Sequence, residues 1–166
     1  GAGLRGPQYT PGVQIHVVAL LCVRNGHILV CRKKGTTKWM QPGGKPLPEE
    51  SLENALRREL HEELGTAAGP LTWIGTFRCA PANEVGAELL ADVFFGDLEG
   101  NPIAQAEIEE VAWAPIDALT SRDYAPLIME HMLPYLGYQP RVANCSLTGR
   151  VEQWMPTIAS PKLRLI

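Results

Sequence analysis

The sequence predicts an α/β fold in which a mixed β-sheet is sandwiched between helices. Two β-branched, apolar runs near the start of the chain and three more in its middle have the composition of strands. Two other segments repeat apolar residues at steps of three and four, which is typical of amphipathic helices. The resulting order, two strands, a helix, three strands and a helix, is that of a sheet covered by helices.

Length and composition set the broad class of protein. The 166 residues are enough for one domain with a sizeable core, and a hydrophobic content of 45% argues against disorder. A net charge of −3 gives no overall attraction to nucleic acid. Because no apolar run approaches the ~20 residues of a membrane span and no leader is evident, we expect a cytoplasmic protein that does not contact membranes.

The first two strands are predicted to form a hairpin. Residues 13–23 are an almost continuous apolar run, and a second run follows Asn25 and Gly26. Asn-Gly between two such runs favours a type I′ turn, since both residues tolerate a positive φ. In this register Cys22 faces Leu29.

The cysteines are predicted to be buried, reduced thiols. They show neither CxxC spacing nor the nearby histidines of a zinc site in sequence, and free cysteine is among the most buried residue types. The four are Cys22, Cys31, Cys79 and Cys145.

A glycine-rich loop leads into the first helix. Gly43 and Gly44 have no side chains, so a ligand can approach the backbone closely there, and Trp39 nearby is a candidate platform for a nucleobase. The apolar spacing predicts a helix over residues 48–64, with Gly65 as its stop.

The rest of the chain supplies the remaining elements. Strands are predicted at residues 71–79, 88–98 and 108–116, and a helix at residues 124–136. We divide the chain into a loose arm, a domain and an irregular tail. These comprise residues 1–12, 13–136 and 137–166.

An acidic turn in the first predicted helix indicates a metal site. Glu59, Glu62 and Glu63 share one face, where like charges repel, and hard oxygen ligands at this spacing suit Mg²⁺ or Mn²⁺. The alternative is a solvated face neutralised by Arg57 and Arg58, with Arg58 and Glu62 paired one turn apart.

Set in its surroundings, this turn resembles the Nudix box. Gly44, Glu50 and the run from Arg58 to Gly65 occupy every charged and glycine position of that pattern. The one departure is Thr66, where the family has an aliphatic residue, and threonine is similar in size to valine. The resemblance implies the family's α/β/α sandwich over residues 13–136.

The resemblance also implies the parts of an active site. Mg²⁺, or Mn²⁺ in its place, would be held by the carboxylates of the acidic turn and by the Gly43 carbonyl, with Gly43 and Gly44 against the substrate. Glu50 and Arg58 would form a structural pair that orients Glu59. The implied metal ligands are Glu59, Glu62, Glu63 and Gly43.

The general base varies within the family between a glutamate of the box and one on a later loop. In this chain the later candidates are Glu107, Glu109 and Glu110, and Glu107 is our choice as an extra ligand or base. The residues predicted to serve catalysis are Glu59, Glu62, Arg58 and Glu107.

The implied reaction is the hydrolysis of a nucleoside diphosphate linked to another group. The substrate would be a small nucleotide, either ADP-ribose or a similar nucleotide sugar, or a nucleoside triphosphate in need of sanitation, and a homodimer is plausible by resemblance only. The alternative is a non-catalytic Nudix domain that senses a ligand or binds a partner protein. That alternative predicts lost box carboxylates or an attached DNA-binding domain, and the sequence shows neither.

Overall fold

The structure is a computed structural model. It describes residues 12–119, 122–145 and 149–156, with side chains up to residue 138. Predicted features in residues 1–11 and 157–166 lie outside the described residues.

Two sheets form the centre of the domain. The first has the order β4-β1-β6-β5 and is mixed, because β1 and β6 run parallel while the other pairs are antiparallel. The second is antiparallel, with the order β2-β3-β7. The strands are β1 Gln14–Leu21, β2 Val23–Arg24, β3 His27–Lys33, β4 Gly43–Gly44, β5 Ala68–Cys79, β6 Glu88–Leu98 and β7 Ile108–Pro115.

The predicted hairpin is confirmed between β2 and β3. Asn25 and Gly26 have φ values of 50° and 73°, as a type I′ turn requires. The Leu29 amide donates to the Cys22 carbonyl over 2.9 Å, so these residues face each other as expected.

The first helix, α1 (Leu52–Leu64), begins four residues later than predicted. The backbone of Glu49 has a φ of 67°, which a right-handed helix does not tolerate, and the Ser51 hydroxyl then caps the helix by accepting from the Asn54 amide. The end is as predicted, because Gly65 adopts a left-handed conformation and donates to the His61 carbonyl.

The second predicted helix is present, but its middle is wider than an α-helix. Residues 128–132 form a π-helix (Ile128–Met132), followed by the short helix α2 (Leu133–Tyr135). Tyr124 lies outside it, in an isolated bridge with Trp39. In an α-helix the ring of Pro134 would crowd the carbonyl of Glu130, and the wider turn is consistent with relief of that clash.

The two helical segments cover opposite sides of the strands. The buried side chains of α1 pack with Val18, Leu20 and Leu29, whereas those of residues 127–136 pack with Ala19, Leu21 and their neighbours. Alternate residues of β1 therefore enter different cores. The predicted α/β/α sandwich with a mixed sheet is confirmed, with the second, antiparallel sheet as an addition.

The predicted irregular character of the tail is wrong for much of its length. An antiparallel pair, β8 (Tyr138–Cys145) and β9 (Gly149–Pro156), occupies residues 138–156. Prolines and scattered apolar residues made this pair hard to predict from the sequence, since each strand gains its hydrogen bonds from the other. The boundaries of the arm, domain and tail stay predictions.

Three of the cysteines fit the expectation of buried thiols. Cys22, Cys31 and Cys79 are free and buried, while the side chain of Cys145 lies outside the described part. Among the described residues, no helix is both long and apolar enough to span a membrane.

Candidate active site

The glycine loop is a strand that brings bare backbone against the acidic helix. Gly43 and Gly44 pair with β1 opposite Ala19 and Val18. A Cβ at Gly43 would overlap the Val18 carbonyl oxygen, and one at Gly44 would overlap the carboxyl group of Glu59. Gly43, whose φ is also positive at 145°, therefore requires glycine, whereas a side chain at Gly44 would have to displace the Glu59 carboxyl group.

Helix α1 directs two of the three predicted carboxylates towards this strand. Its apolar face is buried in the core, so the neighbouring positions Glu59 and Glu63 face the glycines. Glu63 is only 8% exposed and accepts a hydrogen bond from the Gly43 amide. Burial, with the charge of Glu59 added, raises the pKa of Glu63 to about 7, although Lys33 opposes the shift.

Arg58 holds the acidic turn in place. Its guanidinium donates two hydrogen bonds to Glu50, of 2.8 and 2.9 Å. Further bonds reach Glu59 at 3.0 Å, Glu62 at 3.3 Å and the Lys45 carbonyl at 3.2 Å. The two-pronged contact lowers the pKa of Glu50 to about 2.

A cavity of ≈ 340 Å³ opens beside the glycines and the helix. Its charged lining residues are Glu59, Glu63, Glu84 and Glu107, together with Lys33 and Lys45. Much of the remaining lining is apolar. It includes Ile15, Val17, Pro81, Leu89, Ala125 and Leu127.

Gln41 is a residue of the cavity that the sequence analysis missed. Its side chain is 6% exposed, and its Oε1 has no hydrogen-bond partner among the described residues. A buried acceptor without a donor is costly, so a ligand donor is a natural partner. The available sequence signal was its position directly before the Pro-Gly-Gly run.

The structure brings together part of the predicted site. Gly43, Gly44, Glu59, Glu63 and Glu107 all line the cavity. The Glu62 side chain is 53% exposed, is paired with Arg58 and is not among the lining residues. The i,i+4 ion pair that the alternative reading foresaw is therefore also present.

The two tryptophans differ in exposure. Trp39 is 9% exposed, and the guanidinium groups of Arg32 and Arg122 are 6.0 and 4.8 Å from its ring. It does not line the cavity, so the structure gives no support to its use as a nucleobase platform. Trp73, by contrast, is 54% exposed.

The donor set of the cavity fits a hard divalent cation. Its carboxylates offer oxygen ligands, and the raised pKa of Glu63 indicates negative charge that the chain itself leaves uncompensated. Among the described residues, three metal-ligating atoms within 4.8 Å of one another occur elsewhere, at Cys79, Glu130 and His131. Arg58 bonds to both Glu59 and Glu62, and the three box carboxylates do not form such a group in this conformation.

Comparisons with known proteins identify the domain family of this chain. The NUDIX domain family matches residues 13–136. An isopentenyl-diphosphate Delta-isomerase of Kocuria rhizophila is 30% identical over 155 residues, covering 85% of this chain and 84% of the relative. An oxidized purine nucleoside triphosphate hydrolase of Danio rerio is 34% identical over 106 residues, covering 60% and 65% respectively.

A match over a shorter segment and a match to a solved structure agree with this family assignment. An RNA pyrophosphohydrolase of Tolumonas auensis is 36% identical over 67 residues, which are 40% of this chain but only 38% of that relative. The crystal structure of a MutT NUDIX hydrolase from Burkholderia pseudomallei superposes with a TM-score of 0.58 at 28% identity, covering 66% of this chain and 89% of that one. The chain therefore belongs to the NUDIX hydrolase family.

Proposed function

We propose that the protein is a Mg²⁺-dependent pyrophosphohydrolase that cleaves the diphosphate bond of a small nucleotide. One observation carries the proposal: the cavity is lined by Glu59 and Glu63 together with Lys33 and Lys45, beside the Gly43 backbone, which only glycine can form. Carboxylates with an ion, together with lysines, are what a diphosphate needs in order to bind.

Glu59 and Glu63, with Glu62, Glu107 and the Gly43 carbonyl as further ligands, would hold the ion. When bound, a divalent ion stabilises charge on the phosphate oxygens and lowers the pKa of a coordinated water. The family membership and the oxygen-rich donor set support Mg²⁺, with Mn²⁺ as a substitute.

The chain's own residues supply positioning. Arg58 is fixed by its hydrogen bonds to Glu50. It donates a further hydrogen bond to the Glu59 carboxylate and so keeps that carboxylate in position in the cavity. Lys33 and Lys45 orient the diphosphate, which lowers the barrier to in-line attack mainly by alignment. Glu107, at the rim of the cavity, is the proposed base that receives the proton of the attacking water.

The cavity also bears on the class of substrate. Its volume lies within the range of small-molecule sites, and its apolar part with Gln41 suits a nucleoside or sugar carrying a donor group. These features, with the net charge of −3, favour a free nucleotide, such as ADP-ribose, a nucleotide sugar or a nucleoside triphosphate, over RNA.

A second candidate follows from the relative that matches most of this chain. The likeness to an isopentenyl-diphosphate Delta-isomerase spans 85% of the chain, and the apolar part of the cavity suits a hydrocarbon group on a diphosphate. The reaction would then shift a double bond by proton transfer. None of the described cysteines lines the cavity, so carboxyl groups would have to move the proton.

The test is a substrate panel assayed with and without Mg²⁺. It contains ADP-ribose, nucleotide sugars, oxidised and normal nucleoside triphosphates, triphosphorylated RNA and isopentenyl diphosphate. We expect metal-dependent release of phosphate or nucleotide from a free nucleotide. Double-bond migration without hydrolysis would favour the isomerase, and tight binding without turnover would favour the sensor.

A matched set of variants links the turnover to the cavity. Glu59→Gln and Glu63→Gln change carboxylates that line it, whereas Glu53→Gln changes an exposed carboxylate of the same helix whose partner is Arg57. We expect loss of turnover in the first two and normal turnover in the third. Equal activity in all three would contradict the proposal.

A further inference from the structure

A second group of metal-ligating side chains lies where the end of β5 meets the π-helix. Cys79 from β5, with Glu130 and His131 from the helix, has its ligand atoms within 4.8 Å of one another. None of the three lines the cavity of the proposed active site. We propose that Cys79, Glu130 and His131 form a separate Zn²⁺ site.

The donor set matches the chemistry of zinc and not that of magnesium. Zn²⁺ accepts thiolate sulfur, imidazole nitrogen and carboxylate oxygen, and three protein ligands with a water as the fourth is a common arrangement. Mg²⁺ takes oxygen ligands and has no use for a thiolate. The two metal sites of the protein would therefore select different ions.

The charges of this group call for a cation. Among the described side chains, none with positive charge lies within 4.0 Å of the Glu130 carboxylate, which is exposed at the mouth of the group. Cys79, 1% exposed, forms its floor. Burial and the nearby Glu130 raise the pKa of the Cys79 thiol to about 11, and a bound ion would reverse that balance.

The local backbone and the contacts of His131 suit this role. A π-helix has more residues in each turn than an α-helix, so the consecutive side chains of Glu130 and His131 diverge less in direction. The His131 Nε2 lies 2.9 Å from the Arg78 carbonyl, and its ring packs against Phe77 at 5.1 Å. Donation from Nε2 to that carbonyl fixes the ring and leaves Nδ1 with a lone pair for the ion.

The place of this group in the fold suggests what the ion does. Cys79 directly precedes the cavity-lining segment 80–84, and the helix that carries Glu130 and His131 also carries the cavity-lining Leu127. An ion shared by the strand end and the helix would fasten these two walls together. Its binding would therefore raise the thermal stability of the folded protein.

A titration of the metal-free full chain with Co²⁺ tests the site by spectroscopy. Co²⁺ replaces Zn²⁺ in such sites, and a cysteine ligand produces a thiolate-to-metal charge-transfer band that carboxylates cannot produce. We expect this band to saturate at one equivalent, to persist in excess Mg²⁺ and to disappear when Zn²⁺ is added. Absence of the band in the unmodified protein overturns the proposal.

Variants assign the band to these residues. Cys79→Ser is expected to abolish it, and His131→Phe, which keeps a ring beside Phe77, is expected to weaken Co²⁺ binding by more than ~100-fold, because even the loss of a residue that only orients a ligand costs 10–100-fold. Cys145→Ser is the control and keeps the band. A band that survives Cys79→Ser, or unchanged affinity in a folded His131→Phe, contradicts the proposal.

A thermal-unfolding measurement gives an independent readout. Zn²⁺ is expected to raise the Tm of the unmodified protein and of Cys145→Ser, and to leave folded His131→Phe unchanged. An equal rise in all of them would place the ion elsewhere. Because neither readout uses turnover, failure of this site and failure of the proposed hydrolase activity are separate outcomes.

Discussion

Two buried carboxylates, Glu63 on α1 and Asp92 on β6, are equally hidden from solvent and differ in what surrounds them. They are 8% and 7% exposed. Asp92 accepts hydrogen bonds from Thr76 at 2.6 Å, from His16 at 2.7 Å and from the Trp73 indole at 3.0 Å. Glu63 receives a bond from the Gly43 amide and faces the negative charge of Glu59.

The pKa values of the two carboxyls therefore shift in opposite directions. Burial acts to raise the pKa of Asp92, but the bonds from Thr76, His16 and Trp73 outweigh it and lower the value. For Glu63, burial and Glu59 raise the pKa to about 7. The negative charge of Asp92 is therefore stabilised by hydrogen bonds within the chain. We infer that the charge of Glu63 is instead stabilised by a bound cation.

The largest expected effect is on catalysis at Glu63. Glu63→Gln keeps the size of the side chain and removes the charge that would hold the ion. We expect kcat/KM on the best nucleotide of the panel to fall by about 100-fold or more, as when one contact to a developing charge is lost. Urea unfolding of the metal-free variant should show no loss of stability, because repulsion from Glu59 is relieved. A stable variant with normal kcat/KM would break the comparison.

The reverse pattern is expected at Asp92. Asp92→Asn leaves three donors facing an amide in place of a carboxylate, so the free energy of unfolding should fall by ~1–3 kcal/mol. The hydrolysis rate at saturating substrate, measured below the Tm of the variant, should stay within about 2-fold of normal, well below the change from a lost catalytic contact. A large loss of turnover in folded Asp92→Asn would give this network a role in the active site.

The pH dependence of stability should differ in sign between the two. A raised pKa in the folded state means that stability from Glu63 is full below the unfolded value of 4.5 and is lost as the pH rises through about 7. The contribution of Asp92 is full above its unfolded value and is lost as the pH falls through the lower folded one. Urea unfolding in a chelator from pH 3 to pH 8, set against Glu63→Gln and Asp92→Asn, measures both slopes. Matching slopes in parent and variants would contradict these pKa directions.

The smallest expected effect concerns Gln41. Its buried Oε1 has no hydrogen-bond donor among the described residues. Gln41→Leu should raise KM about 5-fold, the equivalent of about one neutral hydrogen bond to the substrate. The stability of the free protein should not fall, since an unpaired acceptor is removed. Gln41→Glu, which keeps the acceptor, is the control. A change in kcat alone would assign Gln41 to the chemical step.

How much the sequence could predict depends on the range of the contacts involved. The contacts of Glu50, Arg58 and Glu59 lie within one helix and the loop before it, so their spacing was informative. His16 and Asp92 are 76 residues apart, and the pairing of Cys79 with His131 also depends on tertiary packing. No periodicity encodes such meetings.

The wrong predictions have local physical causes. The helix was started at Pro48 because proline favours a first turn, yet Glu49 takes a positive φ and Ser51 provides the cap. Trp39 is close to the glycine loop in sequence, but it forms a bridge with Tyr124 and is not among the residues that line the cavity.

The claim that Glu63 binds a divalent cation is tested most directly by calorimetric titration with Mn²⁺ at a pH near 8. The unmodified protein and Asp92→Asn are expected to bind the ion with equal affinity at the cavity, while Glu63→Gln binds it at least ~10-fold more weakly, as loss of a ligand charge requires. Equal Mn²⁺ affinity in all three proteins would contradict the account.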